Sequence, residues 1–258
     1  DWNLGEVMGI EDVGTVNFNL EVDGFGLTSD LLNTDVSGQI KRFEYRGYDY
    51  TNGEVVGHLT EGLFEGQFMV RDPKLNVEFD GSIDVRDERP DLYFDLDVIT
   101  ADLFALGVVE DSIGYLSTTM AARFSGLGLD DSRGTLNIDR TMYETDQSVY
   151  FVGYMDLSSE LEEGQRKLSI DSDLLKGKAE GDFTVNSLIE SLRGHFRQYF
   201  SGLDAPQPVE EQRLVYEFTL YNTLPITELF YPDLTIETGT KIYGSYNDKD
   251  NKISINLD

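Results

Sequence analysis

Apolar and polar residues alternate with a period of two in block after block of this chain. Val16, Phe18, Leu20 and Val22 alternate with Asn17, Asn19, Glu21 and Asp23. Leu75, Val77 and Phe79 repeat the pattern, as do Leu92, Phe94, Leu96 and Val98. Tyr216, Phe218 and Leu220 follow it, and so do Ile253, Ile255 and Leu257. Successive side chains on a strand point to opposite faces, so each block predicts a strand with one apolar and one polar, mostly acidic face. Such strands either close their apolar faces on one another or leave them lining a groove.

Glycines at 62, 66, 81, 126, 134 and 153 punctuate the blocks, and Asn52-Gly53 reads as a hairpin reversal between FEYRGYDY and EVVGHL. The chain is therefore expected to be all-β, built from many short antiparallel strands. Two stretches break the pattern. TADLFAL (100–106) predicts a short helical turn capped by Thr100. SLIESLRGHFRQYF (187–200) predicts an amphipathic helix: Ser187 and Glu190 have capping-box spacing, and Leu188, Leu192, Phe196, Tyr199 and Phe200 share one face. The acidic, Pro-containing GLDAPQPVEEQ (202–212) reads as a linker. LEVDGFGLTSD (20–30) is similar to AARFSGLGLDD (121–131), and NVEFDGSIDV (76–85) to KAEGDFTVNSL (178–188). The expected organisation is a first β repeat over 1–106, a second over 107–201 ending in the helix, and further strands of the same array over 213–258.

Charge narrows the functional classes. The 258 residues carry 49 Asp and Glu against 20 Lys and Arg, a net −29. A surface this negative repels phosphate backbones and anionic bilayers, so nucleic acid is not an expected partner. There is no cysteine, hence no thiolate chemistry. No apolar run is long enough to span a bilayer, and the chain is expected to be a piece of a longer one.

Catalytic chemistry finds little to work with. His58 and His195 are the only histidines and sit in no recognisable catalytic or metal motif, so structural roles are preferred for both. Acid pairs such as Asp95/Asp97, Asp130/Asp131, Asp171/Asp173 and Glu160 with Glu162 and Glu163 fall on the polar side of alternating strands, where solvation explains them. A glycosidase would need two carboxylates facing across a cleft. Asn247 to Asn251 offers calcium-friendly oxygens without the glycine and final glutamate of an EF-hand loop, and reads as a turn. No enzyme activity, cofactor or metal is expected.

The apolar faces remain. They either pack as a sandwich or line a folded sheet, where each buried methylene of an acyl chain would contribute about 0.8 kcal/mol. Three stretches bear on this: GLFEGQFMVRDPKLNVEFDGSIDV followed by PDLYFDLDVITADLFAL; RKLSIDSDLLKGKAEGDFTVNSLIESLRGHFRQYF; and FTLYNTLPITELFYPDLTIETGTKIYGSYNDKDNKISINLD. With the opening GTVNFNLEVDGFGL, they resemble the C-terminal half of the TamB / AsmA-like family, the translocation and assembly module proteins. The resemblance implies an elongated antiparallel sheet folded into a U-shaped (β-taco-like) hydrophobic groove. It implies a periplasmic segment of an inner-membrane-anchored parent, acting in phospholipid transport to, or protein assembly in, the outer membrane. Partners would be phospholipid acyl chains or unfolded outer-membrane barrel strands, with the assembly machinery reached through the parent.

Candidate groove-lining residues are Val16, Phe18, Leu20, Val22, Leu75, Val77, Phe79, Leu92, Phe94, Leu96, Val98, Tyr216, Phe218, Leu220, Ile253, Ile255 and Leu257. Plain core packing is the other reading at each. The 187–200 helix either covers the sheet or plugs the groove with Phe196, Tyr199 and Phe200. The competing class is a β-sandwich carbohydrate-binding or adhesin module that stacks sugars on exposed Tyr45, Tyr48 and Tyr50.

Overall fold

The structure is a computed structural model, described for residues 2–3, 13–25, 33–109, 114–126, 130–197, 211–225, 227, 236–250 and 252–258. Among the described residues it is mostly antiparallel β-sheet, with one helix of several turns. The strands are β1 (Trp2–Asn3), β2 (Val13–Phe25), β3 (Asn33–Tyr45), β4 (Tyr48–Thr60), β5 (Leu63–Asp72), β6 (Leu75–Asp84) and β7 (Asp91–Asp102). They continue with β8 (Tyr115–Ser125), β9 (Arg133–Glu144), β10 (Val149–Glu162), β11 (Gln165–Ser172) and β12 (Leu175–Asp182). Helix α1 (Val185–Arg197) precedes β13 (Arg213–Leu220), β14 (Lys241–Asn247) and β15 (Lys252–Leu257). All fifteen strands belong to one sheet and hydrogen-bond in chain order.

The chain forms two compact units. Unit 1 comprises Asp1–Arg123 and Ile138–Val152; unit 2 comprises Phe124–Asn137 and Gly153–Asp258. The division runs through β8, β9 and β10.

Three local expectations are corrected. Asn52-Gly53 is no hairpin turn. The reversal is made by Arg46 (φ 49) and Gly47 (φ 76), the two positive-φ positions that a tight two-residue hairpin requires. Asn52 sits inside β4 at φ 57, opposite Lys41, and the β3–β4 ladder skips this pair. On β2 the register shifts at the same level, between Asn17 and Phe18. The paired irregularity reverses side-chain parity, so Phe43, Tyr45, Tyr48 and Tyr50 face the same way as Val16 and Ile40.

The second correction concerns Thr100, which is a strand residue. A bulge leaves Ile99 unpaired, with Asn76 opposite Thr100 and Val77 opposite Val98, and β7 continues to Asp102. Asp102 makes the turn: its carboxylate accepts from Ala105 N at 3.0 Å and its carbonyl from Leu106 N at 3.0 Å.

The third is the start of the helix, two residues before Ser187. Thr184 Oγ1 is buried without a partner. The carboxylate of Asp130 caps the end instead, accepting from Asn186 N at 3.1 Å and Asn186 Nδ2 at 2.8 Å. Val185, Leu188 and Leu192 pack against Phe183, Leu214 and Tyr246, the core of unit 2. Burial stabilises by roughly 1.5–3 kcal/mol per large apolar side chain. Tyr199, Phe200 and the linker up to residue 210 lie outside the described residues, as do the side chains of His195 and Phe196.

Candidate functional site

The registers place the alternating apolar residues of unit 1 on a single face of the sheet. One row runs Phe18, Ile40, Gly53, Val70, Val77, Val98 across β2 to β7; the next runs Leu20, Gly38, Val55, Phe68, Phe79, Leu96. A third runs Val22, Val36, Gly57, Gly66, Gly81, Phe94, and a fourth ends on Ile83 and Leu92. All eleven unit 1 candidates, from Val16 to Val98, lie on this face, with Leu75 paired to Ala101. Burial grades along it: Val16, Val70 and Val98 are buried, whereas Phe18 is 41% and Val22 64% exposed.

Three adjacent strands contribute glycine to the third row. A Cβ at Gly57 would come within 2.5 Å of Phe64 Cε2, and one at Gly81 within 2.5 Å of Phe94 Cβ. The ring of Phe64 therefore lies against bare backbone where a β-carbon would stand, and the Phe94 strand approaches Gly81 just as closely. Phe79 and Phe94 pack with ring centroids 5.3 Å apart.

The opposite face is acidic. Glu54, Met69, Glu78 and Asp97 form one row, and Val56, Gln67, Asp80 and Asp95 the next. Arg71 approaches Glu78 at 3.7 Å and Glu54 at 4.0 Å. His58 faces Asp35 across β3 and β4, with Nδ1 2.7 Å from Oδ1, an exposed cross-strand pair.

Unit 2 repeats the arrangement. Leu157, Ile170, Gly177, Phe218, Ile242 and Leu257 form one row; Ser159, Leu168, Ala179, Tyr216, Gly244 and Ile255 form the next. A third row, Arg166, Gly181, Leu214, Tyr246 and Ile253, lies towards the helix. Helix α1 covers this end through Val185, Leu188 and Leu192, and Tyr216 and Ile253 pack against the same core. Leu220 is buried, whereas Ile255 and Leu257 are 52% and 70% exposed. Beside the helix-covered end lies a partly open cavity of about 490 Å³, lined by apolar side chains including Leu157, Leu168, Ile170 and Phe218.

At one end of unit 1, carboxylates are buried with partners. Asp72 accepts from Tyr48 Oη at 2.9 Å, Thr51 N at 3.0 Å, Thr51 Oγ1 at 2.8 Å and Lys74 N at 2.9 Å. Burial opposes its charge, but these donors hold the carboxyl below the ordinary aspartate range. Lys74 reaches Asp102, also buried. Tyr50 is 4% exposed, its hydroxyl has no partner, and burial pushes that hydroxyl up to about 12. Tyr48 and Tyr50 pack edge to face at 4.7 Å. Of the three tyrosines named for sugar stacking, Tyr50 is thus closed to a ligand, whereas Tyr45 and Tyr48 are half-buried.

Every groove-lining residue named from the sequence lies on one of these two faces. Reading alternation missed Val36, Ile40, Val55, Phe64, Phe68, Val70, Leu168 and Ile170, because glycines at 38, 53, 57 and 66 interrupt the pattern in β3 to β5, and Arg166 and Ser172 at the apolar parity leave only a short block in β11. Among the described residues no cluster of three or more His, Cys, Asp or Glu could hold a metal ion, and no helix is long and apolar enough to cross a membrane. The features define a one-sided apolar sheet with an acidic back. No protein-family model, characterised protein or solved structure matches the chain.

Proposed function

We propose that this protein is a non-catalytic, hydrophobic-groove segment of the TamB-like kind, working in the periplasm, that holds acyl chains of phospholipid or apolar strands of barrel clients. The observation that carries this reading is the registered apolar face within each unit. Phe18 and Val22 are exposed on that of unit 1, and Ile255 and Leu257 on that of unit 2, each beside half-buried neighbours. Exposed apolar surface of this extent marks an interaction site in a folded protein. An acyl chain laid along it gains about 0.8 kcal/mol per methylene without any polar contact, so transfer along the face requires no catalytic group. Acidic side chains on the reverse face keep that side solvated.

Native mass spectrometry of the purified protein, followed by organic extraction, tests the reading. Co-purifying lipid is expected, and its loss in Phe79→Gln/Phe94→Gln protein with an unchanged circular dichroism spectrum would support it. A lipid-free protein that also takes up no fluorescent acyl probe would overturn it.

A further inference from the structure

The cavity of unit 2 is not wholly apolar. Arg133, the first residue of β9, lines it, and its Nε is buried without a hydrogen-bond partner. Close by stands Arg166 of β11, only 1% exposed. Its guanidinium donates to Ser159 Oγ at 3.0 Å, to the Ser132 carbonyl at 3.5 Å and to the Asp130 carbonyl, while its Nε is also buried and unpartnered. The carboxylate of Asp130 is turned to Asn186, where it caps α1. Burial pulls the Arg166 guanidinium below its ordinary value; Arg133 pulls the same way, and Asp130 and Asp131 oppose.

Two neighbouring guanidinium groups, each with a desolvated donor left open, are costly to hold without an acceptor. The remainder of the lining supplies the other half of a ligand's description: Phe124, Leu136, Leu157, Leu168, Ile170 and Phe218. We propose that this cavity binds an amphiphile with one acyl chain against these side chains and an anionic headgroup at the Nε of Arg133. The proposal rests on the groove reading above and adds a polar anchor to it. Charge-assisted bonds to guanidinium are the strong ones, and the fork of Arg suits carboxylate or phosphate oxygens. The net charge of −29 works against any free anion. The chain is therefore a necessary part of the ligand, and inorganic phosphate alone is not expected to fill the site.

Fluorescence titration with cis-parinaric acid and its methyl ester separates headgroup from chain. Wild-type protein is expected to bind the acid about tenfold more tightly than the ester. In Arg133→Leu that preference should vanish while ester binding stays, which also reports a folded cavity; Arg133→Lys should keep part of it. Excess inorganic phosphate should not displace the acid. Equal binding of acid and ester by wild type, or an undiminished preference in Arg133→Leu, would overturn the headgroup site and leave the groove standing. Displacement by phosphate would reduce the site to a simple anion site and overturn the amphiphile. Binding of neither probe would overturn the groove itself. If Arg133→Leu does not fold, the acid-to-ester ratio in wild type and Arg133→Lys decides.

Discussion

Arg46 Nη1 donates to the carbonyl of Gly107 at 2.7 Å and approaches that of Leu106 at 3.3 Å. The turns that carry them follow β3 and β7, and β4 to β7 span three strand spacings, about 14 Å in a flat sheet. An arginine side chain cannot bridge that distance alone. The β3–β4 hairpin and the 103–107 turn must therefore bend towards one another past the end of β5 and β6. Tyr50, Val70, Val98 and Ala101, all buried, lie at this closed end.

Gly107 holds φ +68, and a Cβ there would stand 2.3 Å from Arg46 Nη1. Gly107→Ala should thus combine backbone strain with loss of the bridge, lowering stability by about 1–2 kcal/mol. Arg46→Ala, which loses exposed hydrogen bonds and a contact over the Tyr45 ring at 5.5 Å, should cost about 1 kcal/mol or less. Amide hydrogen exchange checks the location: protection should fall first around Tyr50 and Ala101, while the Phe79–Leu96 region stays protected. Uniform loss across unit 1 would mean that the end is not a separate closing device.

Gly177 pairs with Phe218, and a Cβ at 177 would fall 2.2 Å from Phe218 Cδ1 and 2.4 Å from the Glu217 carbonyl. Gly177→Val should push the ring off the strand, at a cost of about 1–3 kcal/mol. The same displacement should disturb the cavity that Phe218 lines. Urea unfolding together with acyl-probe titration reads both effects. A variant with wild-type stability would show that the ring moves aside freely.

Side-chain parity explains how much of this was legible in advance. Where alternation is unbroken, as in Leu92 to Val98, the apolar and polar faces of the strand are as expected. Parity fails at backbone irregularities that alternation does not encode. Lys41 and Asn52 reverse it in β3 and β4, so a dipeptide typical of hairpins sits inside a strand. Ile99 does the same in β7 and moves the cap from Thr100 to Asp102. The helix start was misplaced because Asp130, 56 positions away from Asn186, is the capping group. The arginine pair was invisible for the same reason: β9 and β11 bring Arg133 and Arg166 together, and charge patterning along one strand carries no trace of it.

Asp130 is the only carboxylate bonded to the first turn of α1 among the described contacts. Asp130→Ala should cost about 1 kcal/mol, the usual loss of a cap reinforced by the helix dipole. Asp130→Asn keeps one acceptor oxygen and loses only the charge, so it should lose part of this. Hydrogen exchange within 185–192 is the readout, with exchange expected to quicken in the order wild type, Asn, Ala. No change in that segment would assign the helix start to packing of Val185 and Leu188 alone.

Tyr50 makes stability depend on alkaline pH. Its hydroxyl is buried without a partner and pushed up to about 12, from the ordinary 10.0. The folded state therefore holds its proton more tightly than the unfolded chain does. That contribution is fully present below pH 10 and is lost as pH rises from about 10 through about 12. Two pH units correspond to at most about 2–3 kcal/mol. Tyr50→Phe removes both the titration and a desolvated hydroxyl, so it should be neutral or stabilising by about 1 kcal/mol at pH 7. Urea midpoints measured from pH 7 to 11.5 should fall more steeply for wild type than for Tyr50→Phe above pH 10. Parallel curves would mean that the hydroxyl reaches water in the folded protein and that this end of the apolar face is not closed.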